Sequence, residues 1–171
     1  HRPNDYHPDH RYTGILVQDA AFMVIVKSFL PSVPNLTKNP VFLYTEDGFQ
    51  KPNPMDPEIV VSIDAVIDQK IDALWKLESQ IESYWATRDF EKVIPVPQQG
   101  SERAERKKQL AHGMKQRYAN IAKRFRPRLI ELYGKEKGSV VKYAEAFELC
   151  EYGRRPSTQE LLQLFPFFGS K

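Results

Sequence analysis

With 171 residues the chain is long enough for one domain with a real core, and a composition of 41% hydrophobic and 27% charged residues describes a soluble globular protein. The formal net charge of +3 singles out no partner class, and the one cysteine, Cys150, excludes an intramolecular disulfide and a cysteine-rich metal cluster. Any bound metal has to be held by His, Asp and Glu; the cysteine count is compatible with any compartment, the cytoplasm slightly favoured.

Asp5-Tyr6-His7-Pro8-Asp9-His10-Arg11 places two imidazoles and two carboxylates within one short stretch, where the only other internal histidine is His112. Proline fixes its own φ and drives the residue before it into an extended conformation. The spacing therefore predicts an extended His7, Pro8 as the first residue of a helix, and His10 in the first turn, with Asp9 suited to the positive end of the helix dipole. The chain opens at His1 with no initiator methionine and no targeting segment. Because its most chemically loaded motif lies beside that end, it is expected to be the back part of a longer protein, and the missing targeting signal says nothing of location.

From Tyr12 to Leu30 the pattern predicts a buried helix, apolar almost all the way round, too short and too interrupted by Gln18, Asp19 and Lys27 to span a membrane. Pro31, Pro34 and Pro40 make a loop before a short buried strand over Val41 to Thr45. Glu46 to Pro57, with Asp47-Gly48 and three prolines, is a long loop of the kind that meets substrates. A second strand, Ile59 to Ile63, leads to Asp64 as N-cap of a helix running from about Ala65 to Tyr84, with Ile67, Ile71, Leu74 and Ile81 at helical spacing. The alternation of strands and helices favours an α/β layer structure.

Thr87 to Gly100 is a connector. Ser101 starts a long amphipathic helix with Leu110, Ala111, Met114, Tyr118, Ile121, Ala122 and Phe125 on one stripe, ended or kinked by Pro127 and followed by one or two turns over Leu129 to Tyr133. Val140 to Tyr152 reads as a loop into an extended segment, Ala146 to Cys150. Ser157 caps a short final helix through Leu164, and the tail Phe165-Pro166-Phe167-Phe168 is expected to be pinned against something.

On spacing alone, His7 and His10 are open to two readings, a polar loop or part of a metal site; zinc in a catalytic site takes three protein ligands and one open position. The basic residues from Arg103 to Arg128 could contact phosphate of nucleic acid or lipid, or form the solvated face of a helix interleaved with Glu102 and Glu105. The second reading is preferred, and no nucleic-acid motif supports the first. His112 reads as a surface residue, while Glu78, Ser79, Gln80, Tyr84 and Trp85, like Glu145 and Phe147, read as core by themselves. No GxSxG elbow supports serine catalysis.

The run Asn4-Asp5-Tyr6-His7-Pro8-Asp9-His10-Arg11 resembles the second signature of the PIG-L/LmbE family of zinc-dependent N-deacetylases. Lys70, Ala73, Leu74, Ser79 and Gln80 look like that family's later helix, and Tyr143-Ala144-Glu145-Ala146-Phe147 is similar to its closing segment. Residues 1–171 then form a single LmbE-like domain, an α/β fold with a Rossmann-like layered core whose first strands lie outside this chain.

The resemblance implies an amide C–N hydrolase that removes acetyl from a GlcNAc-type sugar or glycoconjugate. His10 becomes a zinc ligand, His7 the group that polarises the amide carbonyl or stabilises the oxyanion, and Asp9 the residue that orients and charge-tunes His7. Two departures bear on this: the first signature, of the form AHPDDE, is absent, and Leu77 stands where many members carry a histidine. With one expected zinc ligand of three, these residues alone are not expected to turn over substrate. The alternative from another class is a non-catalytic carbohydrate- or phosphate-binding module using the basic helix and the Glu46 to Pro57 loop.

Overall fold

The computed structural model describes residues 1–82 and 94–168. These form a mixed α/β structure: α1 (Pro8–Met23), β1 (Val41–Thr45), β2 (Ile59–Ser62), α2 (Ile67–Leu74), α3 (Glu78–Glu82), α4 (Gly100–Arg124), α5 (Arg126–Tyr133), α6 (Lys135–Val140), β3 (Ala144–Gly153) and α7 (Thr158–Leu164). The chain divides into two compact units. One takes the described residues of His1–Val61, Phe125–Ser139 and Ala146–Lys171, the other those of Ser62–Arg124 and Val140–Glu145.

The first unit is built on a three-stranded sheet in the order β1-β3-β2, so the central strand is the last in sequence. β3 runs antiparallel to β1, with Leu43 opposite Leu149, Tyr44 opposite Glu148 and Thr45 opposite Phe147; an irregularity before Leu43 sets Val41 against Gly153. Gly153 has φ +79°, and any Cβ there would run into the Phe42 ring and the Pro40 carbonyl, so only glycine closes this strand. Ile59 and Val60 of β2 and Leu129 of α5 are the largest fully buried side chains of this unit.

Two expectations are corrected at α1. The helix ends at Met23, not Leu30, because the returning chain takes the carbonyls a longer helix would use: Asn39 Nδ2 donates to the Ala21 carbonyl (2.7 Å), the Leu36 N–H to that of Val24 (2.8 Å) and Asn35 Nδ2 to that of Ile25 (3.2 Å). Nor is it a buried helix. Its inward face is the narrow stripe Gly14, Gln18 and Ala21, at i, i+4 and i+7, while Leu16, Val17, Phe22, Phe29 and Leu30 are exposed. β1 falls where expected but is half-buried rather than buried.

In the second unit the predicted cap is also corrected. Asp64 does not cap α2; its carboxylate accepts the N–H groups of Lys142 (3.0 Å) and Tyr143 (2.6 Å), and α2 starts at Ile67 after Val66, which makes no side-chain cap bond. The expected helix to Tyr84 is broken at Trp75 to Leu77. There the N–H groups of Lys76 and Leu77 bond three residues back, to Ala73 and Leu74, tightening the chain into a turn that buries Trp75 with Ile81 and Val96. Tyr84, Trp85 and the connector as far as Val93 lie outside the described residues.

α4 is the predicted amphipathic helix, starting at Gly100. It buries Tyr118, Ile121 and Ala122 and packs Leu110 on the Trp75 cluster. α6 was not expected, since Lys135 to Val140 is short, has no apolar period and ends in the weaker helix formers Gly138, Ser139 and Val140. It forms where the Gly138 backbone lies against that of Leu129 and Ile130, with Arg126 Nη1 on the Gly138 carbonyl (2.7 Å). α7 and its Ser157 cap match the expectation, and in the tail Phe168 is buried against Tyr133 and Phe165. No described helix is long and apolar enough to cross a membrane.

Candidate functional site

The N-terminal motif takes the form its proline dictates. His7 is extended (φ −77°, ψ 129°) as the N-cap of α1, Pro8 opens the helix and His10 lies in its first turn. One imidazole just before the helix and one just inside it bring the two ring centroids to 5.0 Å, at 36°. Both side chains are about half exposed.

Asp5 lies beneath them, buried, and local sequence spacing assigns it no role of its own. Its Oδ1 accepts the His7 N–H (2.9 Å), and its Oδ2 lies 3.3 Å from His10 Nδ1. Arg11 Nη1 donates to the carbonyls of Asp5 and Tyr6, both at 3.1 Å, and so closes the segment on the helix. Asp9 reaches His7 mainly through its backbone: its N–H donates to His7 Nδ1 at 3.2 Å, whereas its exposed carboxylate stays 3.9 Å from the same nitrogen.

Further residues missed in the sequence fix this segment to the proline-rich loop. Arg2 is buried and holds both oxygens of Asp47 at 2.9 Å, with further bonds to the carbonyls of Asn53 and Phe49. The Asp47 hydrogen bond, opposed by burial and helped by the charges of Asp47 and Glu148, keeps the Arg2 guanidinium firmly protonated. Asn4 Nδ2 donates to the Lys51 carbonyl (2.7 Å). The only sequence signal for this contact was Asp47-Gly48, a turn pattern that does not say which cation it meets.

His1 stacks on His10, with centroids 4.2 Å apart and planes at 10°, and its carbonyl lies where a Cβ on Gly14 would go. His1, Asp5 and His10 each place one possible ligand atom within 4.8 Å of the others, a donor set that several divalent metals accept. One helical turn below His10, a cavity of about 50 Å³ is lined by His1, Gly14, Val17, Gln18, Tyr44 and Cys150 among others. Burial and the Cys150 thiol, 3.1 Å from the Tyr44 oxygen, push the Tyr44 hydroxyl well above the usual phenol range.

In the second unit, two of the landmarks of the resemblance meet: Lys70 Nζ is 2.9 Å from Glu145 and lies over the Tyr118 ring. Burial alone lowers the Lys70 pKa, but Glu145 and Tyr118 outweigh it and hold it above the usual lysine value. Ser79 and Gln80 are exposed, not core, on the α3 turn that buries Ile81; Leu77 is exposed, and His112 is exposed on α4 as expected. Glu78, expected in the core, is half-buried and pairs with Arg103 (3.1 Å). On the basic helix, Lys107 pairs with Asp72 (2.6 Å) and Lys115 with Asp68 (2.8 Å), so much of its charge is interleaved with acidic neighbours.

No family model matches the chain, and no solved structure matches it.

Proposed function

We propose that the chain is part of a PIG-L/LmbE-like zinc-dependent N-deacetylase with a Rossmann-like core, acting on a GlcNAc-type sugar or glycoconjugate. The observation that carries this reading is the pair of exposed imidazoles at the head of α1, 5.0 Å apart, in the order His7-Pro8-Asp9-His10. Imidazole is a ligand type that zinc takes, so His10, half exposed in the first turn of α1, suits the metal. His10 holds it, and the remaining ligands come from the family's first signature, supplied from outside these residues.

Zinc, when bound, supplies a Lewis acid that makes hydroxide available near neutral pH. His7, one position ahead of the helix, hydrogen-bonds the amide oxygen in this reading as negative charge develops on it. Asp9 adds negative charge beside His7, and the loop fastened by Arg2 and Asn4 lies next to the motif, where a sugar can be met.

The alternative of a phosphate-binding module on α4 gains no support from the pairing of Arg103, Lys107 and Lys115 with carboxylates. The test is deacetylation of a GlcNAc-containing substrate by the protein carrying both signatures, with zinc content measured alongside. His10→Ala is expected to remove metal and activity together. Retention of both by the variant overturns the reading.

A further inference from the structure

The two histidines differ in what their Nδ1 atoms face, and this sets what their Nε2 atoms can do. An ionised carboxylate only accepts hydrogen bonds, so the 3.3 Å contact between Asp5 Oδ2 and His10 Nδ1 puts the His10 proton on Nδ1 and leaves the lone pair on Nε2. His7 Nδ1 faces a backbone donor, the Asp9 N–H at 3.2 Å, and a carboxylate oxygen of the same residue at 3.9 Å. Only the first lies at hydrogen-bond distance, and it needs the lone pair on Nδ1, which puts the His7 proton on Nε2.

We propose that Asp5 is the positioning residue of this site: its buried carboxylate orients His10 with Nε2 as the metal-binding atom, while the Asp9 amide holds His7 in the opposite tautomer, with Nε2–H as a donor. Asp5 is fitted for this because it is itself fixed. Its N–H bonds the Arg2 carbonyl (3.1 Å), its Oδ1 takes the His7 N–H, and Arg2 is anchored on Asp47, so Oδ2 is aimed at His10 before any ligand arrives. The stacked ring of His1 limits rotation of His10 about its other face. A carboxylate behind a ligating imidazole raises its basicity and fixes its orientation, and its loss typically costs about 10- to 100-fold in metal affinity. The proposal rests on the reading of His10 as a metal ligand, and it gives His10 a supporting carboxylate of its own, Asp5, apart from the Asp9 expected to tune His7.

Multiple-bond ¹H–¹⁵N correlation spectra of the metal-free protein report imidazole tautomers directly. With both rings neutral, His10 is expected as the Nδ1–H form and His7 as the Nε2–H form. Asp5→Ala should release His10 to a mixture, Asp5→Asn, which keeps one oxygen for the His7 N–H and turns its NH2 toward His10 Nδ1, should drive His10 to the Nε2–H form, and Asp9→Ala should leave both rings unchanged. An Nε2–H His10 in the unsubstituted protein overturns the proposal without recourse to any variant, as does a His10 indifferent to Asp5→Ala in a protein that stays folded by circular dichroism. Zinc competition against a chelator, run on the protein carrying both signatures, separates this from the deacetylase reading. A 10- to 100-fold weakening in Asp5→Asn supports both, whereas the expected tautomers with no zinc bound by either protein leave the orientation standing and remove the deacetylase.

Discussion

His7 and Arg2 show what single side chains contribute on either side of the motif. If His7 donates to the developing oxyanion, His7→Ala should keep zinc and lower kcat by about 10²- to 10³-fold, the usual cost of one such donor; kcat and metal content measured on one preparation check it. Arg2 concerns the fold instead. Its guanidinium and the Asp47 carboxylate are both nearly buried, so Arg2→Ala leaves the Asp47 charge with no cation and only the Phe49 N–H (3.0 Å) beside it. Breaking a buried pair from one side costs about 3–5 kcal/mol, and a denaturant titration should show a loss of that order. A change below about 1 kcal/mol would mean that Asp47 is rehydrated when Arg2 goes. Nothing around Arg2 or Asp47 in the sequence names the other, because a pair 45 positions apart is chosen by the fold.

Elements were legible in the sequence where a local device fixes them. Pro8 opens α1 and the Ser157–Glu160 capping box opens α7, each at the residue the pattern names. They were illegible where a distant group decides: Asn35, Leu36 and Asn39 stop α1, the packing of Trp75 breaks the helix after α2, and the close approach of Gly138 to Leu129 and Ile130 sets α6 against α5. Asp64 shows the limit of local reading most clearly, since a residue with all the marks of a cap spends its carboxylate on Lys142 and Tyr143. At α7, Ser157→Ala should cost about 1 kcal/mol, the usual value of an N-cap side chain. The Glu160 carboxyl is held below the usual carboxylate range first by the Ser157 backbone N–H and then by Arg154 and Lys38. A depressed folded pKa means that its contribution is present above the unfolded carboxyl pKa and is lost as pH falls through the folded one. Acid unfolding of Glu160→Gln compared with the unsubstituted protein should therefore differ at neutral pH and converge in acid. A difference that is constant with pH would assign the effect to packing.

At the scale of the molecule, the mixed α/β class was legible from alternation, but the sheet order was not, because β3 comes last in sequence and sits in the centre. The same holds for how the second unit is closed. Its two stretches of chain, Ser62–Arg124 and Val140–Glu145, are tied by Asp64 to the Lys142 and Tyr143 amides and by Lys70 to Glu145. Lys70 and Glu145 are each about one-third exposed, so solvent screens the pair, and Lys70→Met should cost no more than about 1 kcal/mol. Its pH dependence has a definite sign. Burial opposes the charge, but Glu145 and Tyr118 raise the folded pKa above the unfolded lysine value, so the stabilisation is complete below that unfolded value and disappears as pH rises through the folded one. Stability curves of Lys70→Met and the unsubstituted protein should run parallel from neutral pH into the weakly alkaline range and converge only in strong alkali. Convergence near neutrality would mean that Lys70 loses its proton far more easily than the Glu145 and Tyr118 contacts allow, and the closure of the second unit would then rest on Asp64.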